Sequence, residues 1–396
     1  MNILIATQTY DLYLNGQGTF TVHLAEGLAA RGHQVSVLCP SQLGHPIHLI
    51  TNNVDVYGLK SFSFAPVYED VHVTLFPNSE VDDLMNIIRP QVVHIQDHYP
   101  LCRSVLEATC KKRLPAIGTN HFLPENIIPH IPLIPASSLI EHFLEQINWK
   151  LVLDIYNQLD FVTAPTETAA QILRDQGIKP KVGVVSCGVD LERYHPNPVI
   201  NRKQLRQKYG LDVNDILFLY VGRVDKEKQL PILLKAMVQL NQPGVQVGVA
   251  GKGSYLSHLK KLAEQLSLEE QVVFTGFIPG EDLPALLNSA DIFVMPSTAE
   301  LQSIATLQAL ASGLPVIAAD ARALPEIVLD GEDGLLFHPN DAEDLASKMA
   351  VLAQQPEKRK EMGEVSLEIA HHHQLNESIK QYEKIYIRAA QVHNLV

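Results

Sequence analysis

The sequence predicts an α/β protein built from two Rossmann-like, doubly wound parallel-sheet domains. Short aliphatic runs alternate with amphipathic helical stretches along the whole chain, the pattern of repeated strand–helix–strand units. The length of 396 residues suits two domains. A linker around His195-Pro196-Asn197-Pro198 interrupts the alternation midway. With 46% hydrophobic and 19% charged residues, each half can bury an ordinary core.

In the first half, Asn2–Ala6 is the first strand, followed by a Gly-containing loop, Asn15-Gly16-Gln17-Gly18. A helix is expected over Phe20–Arg31, with Val22, Leu24, Ala25 and Leu28 apolar and Gly32 stopping it. Strands follow at Gln34–Cys39, Val92–Ile95, Ala116–Gly118, Phe161–Ala164 and Val182–Val185. After the linker, a helix over Asn201–Tyr209 opens the second series. Its strands are Ile216–Val221, Gln246–Ala250, Val272–Thr275, Ile292–Met295, Val316–Ala319 and Leu335–Phe337. The expected domains are 1–198 and 199–372, with a closing helix over 373–396. Ligands of open α/β sheets bind beyond the carboxyl ends of strands, so residues there are the first candidates for a site.

The most informative window runs from Pro296 to Val316, after the strand Ile292–Met295. It reads as a loop carrying Glu300, a helix opening near Gln302 or Ser303, and a new strand after Gly313-Leu314-Pro315. A helix N-terminus offers unpaired N–H groups and a positive dipole end, which suit a phosphate. From Glu300 to Gln308 a helix spans about 12 Å. That length suits a nucleotide sugar, with Glu300 at the sugar, the N–H groups at the diphosphate and Gln308 at the ribose.

Other strand ends carry further candidates. Gly16 and Gly18 follow the first strand, but Thr21 stands where a full GxGxxG would have its last Gly. Gly222-Arg223-Val224-Asp225-Lys226-Glu227-Lys228 follows Ile216–Val221, and cations there can neutralise a departing diphosphate. Lys226 reads as a solvated charge. His121 follows Ala116–Gly118, and Asp97 and His98 follow Val92–Ile95, where they could line an acceptor side; His94, within that strand, reads as packing. His371-His372-His373 is not expected to share a metal, because consecutive helical residues point in different directions. No Asp-x-Asp metal motif sits at a strand end, so no metal is expected to be required.

The net charge is −13, and both halves are acidic. Residues 1–190 hold 11 Lys and Arg against 18 Asp and Glu, or −7, and the rest hold 20 against 26, or −6. Bulk nucleic-acid binding and broad docking on an anionic bilayer are therefore disfavoured. Four scattered cysteines, Cys39, Cys102, Cys110 and Cys187, fit a reduced compartment. No run approaches the roughly 20 apolar residues of a spanning helix. A cytoplasmic protein, at most peripheral on the inner face of a membrane, is expected. Residues 123–155 are the most individual part. Pro124, Pro129, Pro132 and Pro135 break an apolar run, and a helix with Leu139, Ile140, Phe143 and Leu144 follows. Exposed, this segment would suit a lipid acceptor; the alternatives are an insertion folded on its own core or a dimer contact.

The 296–316 window resembles the signature of the retaining glycosyltransferases with two Rossmann-like domains, family four. That pattern is a Glu, seven residues, a second Glu, a small-residue helix end and Gly-x-Pro-Val. Here the first Glu is Glu300 and the second position is Gln308, which keeps hydrogen bonding but loses the charge and one acceptor oxygen. The resemblance covers nearly the whole chain. It implies a GT-B fold with a deep cleft between the domains and a final helix crossing back to the first. It also implies catalytic roles for His121, Glu300, Arg223 and Lys228. Donor contacts are implied at Gly16, Gly18, Gly251 in Gly251-Lys252-Gly253, backbone beside Phe277, and the N–H groups of Gln302, Ser303 and Ile304. Glu326 would brace its loop. Gln229 stands where the family usually has Gly after the Lys. The implied activity is transfer from a nucleotide sugar, a UDP-sugar favoured over a GDP-sugar, without another cofactor. The run His121-Phe122-Leu123-Pro124-Glu125-Asn126 looks like members that glycosylate membrane lipids. A phosphorylase, an epimerase, or a sugar-nucleotide-binding protein without turnover are the alternatives. The oligomeric state is open.

Overall fold

The computed structural model describes residues 1–12, 15–63, 72–124 and 138–393. The chain divides into two compact units, Met1–Cys187 with Asn376–Val396, and Gly188–Leu375. The linker His195–Pro198 thus belongs to the second unit.

In the first unit the strands are β1 (Asn2–Ala6), β2 (Gln34–Pro40), β3 (Ile47–Thr51), β4 (Val54–Leu59), β5 (Phe62–Ser63), β6 (His72–Val73), β7 (Val92–Ile95), β8 (Ala116–Thr119), β9 (Phe161–Ala164) and β10 (Lys181–Val184). Eight of them form one sheet in the order β10-β9-β8-β7-β1-β2-β4-β3, and β5 and β6 form a separate ribbon. All pairs in the large sheet are parallel except β3 with β4. Ile3, Leu4, Ile5 and Ala6 are fully buried, as expected of a central parallel strand covered on both faces. The β3–β4 hairpin was not anticipated. Its turn is Asn52-Asn53, both at positive φ (49° and 62°), the backbone that a two-residue hairpin of type I′ needs and that Asn tolerates.

The first helix also departs from expectation. It starts at Gly16 and runs to Ala30, so Asn15–Gly18 is its opening turn and not a loop. Asn15 caps it by accepting from Gly18 N at 2.8 Å. A Cβ on Gly18 would fall 2.4 Å from the Asp11 carbonyl oxygen, so this glycine admits the chain's own backbone. The helix Leu375–His393 gives this unit its last core side chains, Tyr382 and Tyr386, both fully buried. The Tyr382 hydroxyl lies 3.1 Å from those of both Thr119 and Thr163, and the Tyr386 hydroxyl 2.7 Å from His94 Nδ1.

In the second unit the strands are β11 (Ile216–Val221), β12 (Val245–Ala250), β13 (Val272–Gly276), β14 (Ile292–Met295), β15 (Val316–Ala319) and β16 (Gly334–Phe337). They form an all-parallel sheet in the order β13-β12-β11-β14-β15-β16. Phe218, Tyr220, Phe293 and Phe337 are the bulkiest fully buried side chains of this core. In each sheet the chain order reverses at one place: between β1 and β7 in the first, and between β11 and β14 in the second. Such reversals open a crevice at the carboxyl ends of the two strands concerned.

Candidate functional site

The loops after β11 and β14 meet at the reversal point of the second unit. Lys228 closes the 3-10 turn Lys226–Lys228, and its Nζ lies 2.6 Å from Glu300 Oε1. Both side chains are largely covered, at 15% and 12% exposure. Arg223 sits beside them with its guanidinium fixed by two buried carboxylates, Asp225 at 2.8 Å and Glu227 at 2.9 Å. Asp225 also accepts from the Ser254 backbone N–H at 3.0 Å and the Ser254 hydroxyl at 2.9 Å, tying this loop to the one after β12. The Tyr220 hydroxyl donates to the Arg223 carbonyl at 2.6 Å. Lys226 is exposed, as a surface charge should be. The three cations Arg223, Lys226 and Lys228 are thus balanced in number by Asp225, Glu227 and Glu300. These carboxylates orient Arg223 and Lys228 without building a strongly positive pocket.

Gln229 has φ 53°. This left-handed conformation favours glycine, which explains why glycine suits the position after the lysine. Gly251 has φ 152°, and a Cβ there would lie 1.8 Å from the Gly222 carbonyl oxygen. Only glycine allows the loops after β11 and β12 to touch here; Val224 N then donates to the Lys252 carbonyl at 2.7 Å. Lys252 Nζ stands 5.2 Å from the centre of the Phe277 ring, which is 43% exposed.

Beyond Glu300 the helix runs from Ile304 to Ala311, one or two residues later than the sequence suggests. Ser303 is its N-cap, and its hydroxyl accepts from Thr306 N at 3.2 Å. The first-turn N–H groups of Ile304 and Ala305 have no acceptor within the helix. Gln302, Ser303 and Gln308 are buried. Glu326 closes the 3-10 turn Leu324–Glu326.

The first unit holds a second group of candidates at its own reversal point. Asp97, at the end of β7, is buried and accepts from Gln8 N at 2.5 Å, Gln17 Nε2 at 2.9 Å and Tyr99 N at 3.1 Å. It joins the end of β1, the first helix and the β7 loop. Burial pushes its carboxyl above the usual range against the pull of these donors. His98 is 9% exposed, lies between Tyr99 and Phe122 with ring centres 4.8 and 4.6 Å away, and has no partner for Nδ1 among the described residues. Burial, with Arg103 nearby, lowers its pKa to about 4. His121 Nε2 is 3.0 Å from Gln96 Oε1, and its ring packs on Phe20 at 4.7 Å. Burial lowers its pKa to about 3, so it is neutral at physiological pH. His94 is fully buried with both nitrogens engaged, by the hydroxyls of Tyr386 and Thr119, and belongs to the core.

The structure brings together Arg223, Lys228, Glu300 and the helix N-terminus in one unit, and Asp97, His98 and His121 in the other. Gly16 and Gly18 form a helical turn and not a flexible loop. His371 and His372 end the helix Pro356–His372, and the His373 carbonyl accepts from Val189 N at 2.8 Å. Sequence reasoning missed Asp225, Gln17 and Gln96, which hold the functional candidates in place. Their signal was only position: Gln96 and Asp225 are polar residues just past strand ends, and Gln17 lies in the first turn of the first helix. Of the proline-broken apolar segment, residues 125–137 lie outside the described residues, as do the side chains of Ser138, Leu139 and Glu141.

Two Rossmann-like sheets of mainly parallel strands, each with one reversal of chain order, have the GT-B fold of glycosyltransferases. Two family models match consecutive stretches: Glycosyltransferase Family 4 over residues 14–193 and Glycosyl transferases group 1 over residues 201–367. The chain belongs to this family of glycosyltransferases. It is 27% identical over 318 residues to the sulfoquinovosyl transferase SQD2 of Arabidopsis thaliana, covering 79% of this chain and 59% of that protein. It is 26% identical over 345 residues to an alpha-monoglucosyldiacylglycerol synthase of Streptococcus pneumoniae, covering 85% and 75%. Among solved structures, Anabaena HepE, crystallised with UDP and glucose, superposes with a TM-score of 0.79 at 21% identity, covering 97% of this chain and 99% of that one.

Proposed function

We propose that the protein moves a sugar, with retention of configuration, from a UDP-sugar to the hydroxyl of a membrane lipid of the diacylglycerol or glycolipid class. The observation that carries the transfer reading is the Lys228–Glu300 pair, 2.6 Å apart at the β11/β14 switch point beside a helix N-terminus. Glu300 accepts hydroxyls of the donor sugar, and the N–H groups at Gln302, Ser303 and Ile304 face its diphosphate or sugar. Arg223 and Lys228 stabilise the charge that grows on the departing diphosphate. Gln308 hydrogen-bonds the ribose, and the backbone at Gly251 and Phe277 shapes the base pocket. The bond from the anomeric carbon to phosphate oxygen breaks as the acceptor oxygen bonds that carbon on the same face. The acceptor's proton passes to the leaving phosphate, so no protein nucleophile is required. His98 and His121 line the acceptor side. Asp97, with both oxygens already bonded, positions the loop that carries His98.

UDP is favoured because HepE, of the same fold, binds it. The lipid acceptor is supported by the name of the Streptococcus relative and by the helix Ser138–Tyr156. Trp149, Val152, Ile155 and Tyr156 of that helix are buried, whereas Ile140, Phe143, Ile147 and Leu151 are 40–60% exposed. Their spacing of three, four and four residues places them on one apolar stripe. Among the described residues no helix is long and apolar enough to cross a membrane. The stripe therefore suits a helix lying in the interface.

Two measurements test this reading. Nucleoside diphosphate release should be seen with one UDP-sugar from a panel of UDP-, GDP- and ADP-sugars and should rise on addition of a membrane-lipid extract. Release with a GDP-sugar alone would reassign the base, and a folded protein that binds UDP but releases nothing from any donor would favour a protein without turnover. The double substitution Phe143→Ser with Ile147→Ser should weaken flotation with neutral diacylglycerol-containing vesicles by roughly tenfold or more, since each buried side chain of this size contributes about 1.5–3 kcal/mol. Unchanged flotation would remove the stripe from the acceptor side.

A further inference from the structure

Gln96, at the end of β7, is 1% exposed. Its Oε1 lies 3.0 Å from His121 Nε2, and its Nε2 lies 3.3 and 3.4 Å from the two ring nitrogens of His94. Those nitrogens already face the Tyr386 and Thr119 hydroxyls at 2.7 and 2.8 Å. The near-equal distances, with both in-plane directions taken, put the Gln96 amide nitrogen over the face of the His94 ring. An N–H is attracted to a π face and a carbonyl oxygen is not, so the amide can point only one way. Its oxygen then meets His121 and can only accept.

From this we infer that Gln96 is a positioning residue that fixes the tautomer of His121, holding the proton on Nε2 and presenting the Nδ1 lone pair to the substrate. His121 Nδ1 has no partner among the described residues. The Phe20 ring, 4.7 Å away, backs the imidazole. Because burial keeps this imidazole neutral, the tautomer decides its chemistry. Nδ1 accepts a hydrogen bond from a sugar or acceptor hydroxyl and does not donate one. His94 acts one step further back, keeping the amide from flipping, and is itself anchored by Tyr386 of the final helix. The tautomer stands on this geometry alone, whereas its effect on rate rests on the transfer reaction proposed above.

The test is long-range proton–nitrogen correlation on the full chain labelled with 15N-histidine, with His121 assigned from the spectrum of His121→Asn. Wild type should show the proton of His121 on Nε2. Gln96→Leu should move it to Nδ1 or to a mixture, and should lower kcat for transfer roughly tenfold with the donor KM unchanged. Gln96→Glu offers the same acceptor with a negative charge. It should keep the Nε2 proton and make His121 titrate at higher pH than in wild type. A wild-type proton on Nδ1, or unaltered His121 signals in folded Gln96→Leu, overturns the proposal whether or not transfer is detected. If Gln96→Leu does not fold, an unaltered His121 titration in Gln96→Glu does so.

Discussion

Glu300→Gln should lower kcat/KM for sugar transfer by roughly 10²–10³-fold while the protein stays folded, a magnitude typical of losing one preorganised polar group at a reacting centre. The substitution is nearly isosteric, and one amide oxygen can still accept from Lys228 Nζ, now 2.6 Å from the carboxylate. The fold should therefore lose only about 1–2 kcal/mol, the difference between a charged and a neutral hydrogen bond. Catalysis loses more. The carboxylate is the acceptor assigned to the donor sugar's hydroxyls, and its charge balances Lys228 until a diphosphate arrives. Steady-state kinetics with the cognate donor, beside a thermal melt, separate the two effects. A folded variant that transfers sugar at near wild-type rate would take Glu300 out of the sugar site.

Asp333→Asn should stabilise the protein above pH 6, by on the order of 2 kcal/mol, and have little effect near pH 4. Asp333 is fully buried just before β16. Its Oδ1 accepts from Leu329 N at 2.6 Å, and its Oδ2 has no partner among the described residues. Burial, with Glu332 adjacent, raises its pKa to about 6. The native state thus binds this proton more tightly than the unfolded chain, whose Asp titrates near 3.9. The contribution of Asp333 is least unfavourable below the unfolded value. It worsens as pH rises from about 4 to about 6, and the full penalty persists above that range. Asn cannot ionise, so it removes this slope. Denaturant melts of both proteins at pH 4 and pH 8 check it: equal differences at the two pH values would show that Asp333 is not the titrating group.

The βαβ core was legible because its strands are buried on both faces and so read as continuous apolar runs; β7, β9, β11, β14 and β15 match the expected bounds residue for residue. The β3–β4 hairpin was less visible, since residues 48–51 of β3 are exposed and no apolar alternation marks them. Its signal was the Asn52-Asn53 pair, which only turn chemistry reveals. The start of the first helix was misjudged because two glycines usually mark a loop, and the Asn15 cap that overrides them is a local hydrogen bond. In the candidate site, Glu300, Arg223 and Lys228 could be found from their places at strand ends. Gln17 and Gln96 could not, because each acts on a neighbour that is distant in sequence: Gln17 reaches Asp97 across 80 positions and Gln96 reaches His121 across 25. Asp225 holds Arg223 close by in sequence, but its tie to Ser254 depends on how two loops meet. Such pairings exist only once the sheet order is known.

The first unit is assembled from both ends of the chain, whereas the second is continuous. During synthesis the second unit can therefore complete its core first, although it is made later. Until residues 376–393 leave the ribosome, His94 lacks the Tyr386 hydroxyl, Thr119 and Thr163 lack that of Tyr382, and these buried residues of β7, β8 and β9 stay uncovered. The nascent amino-terminal half must wait, partly open, through the translation of the whole second unit. At typical elongation rates that wait is roughly 10–40 s, long enough to make this half the natural client of a chaperone and to make a stop codon before Tyr382 a folding defect in strands β7 to β9, encoded far upstream.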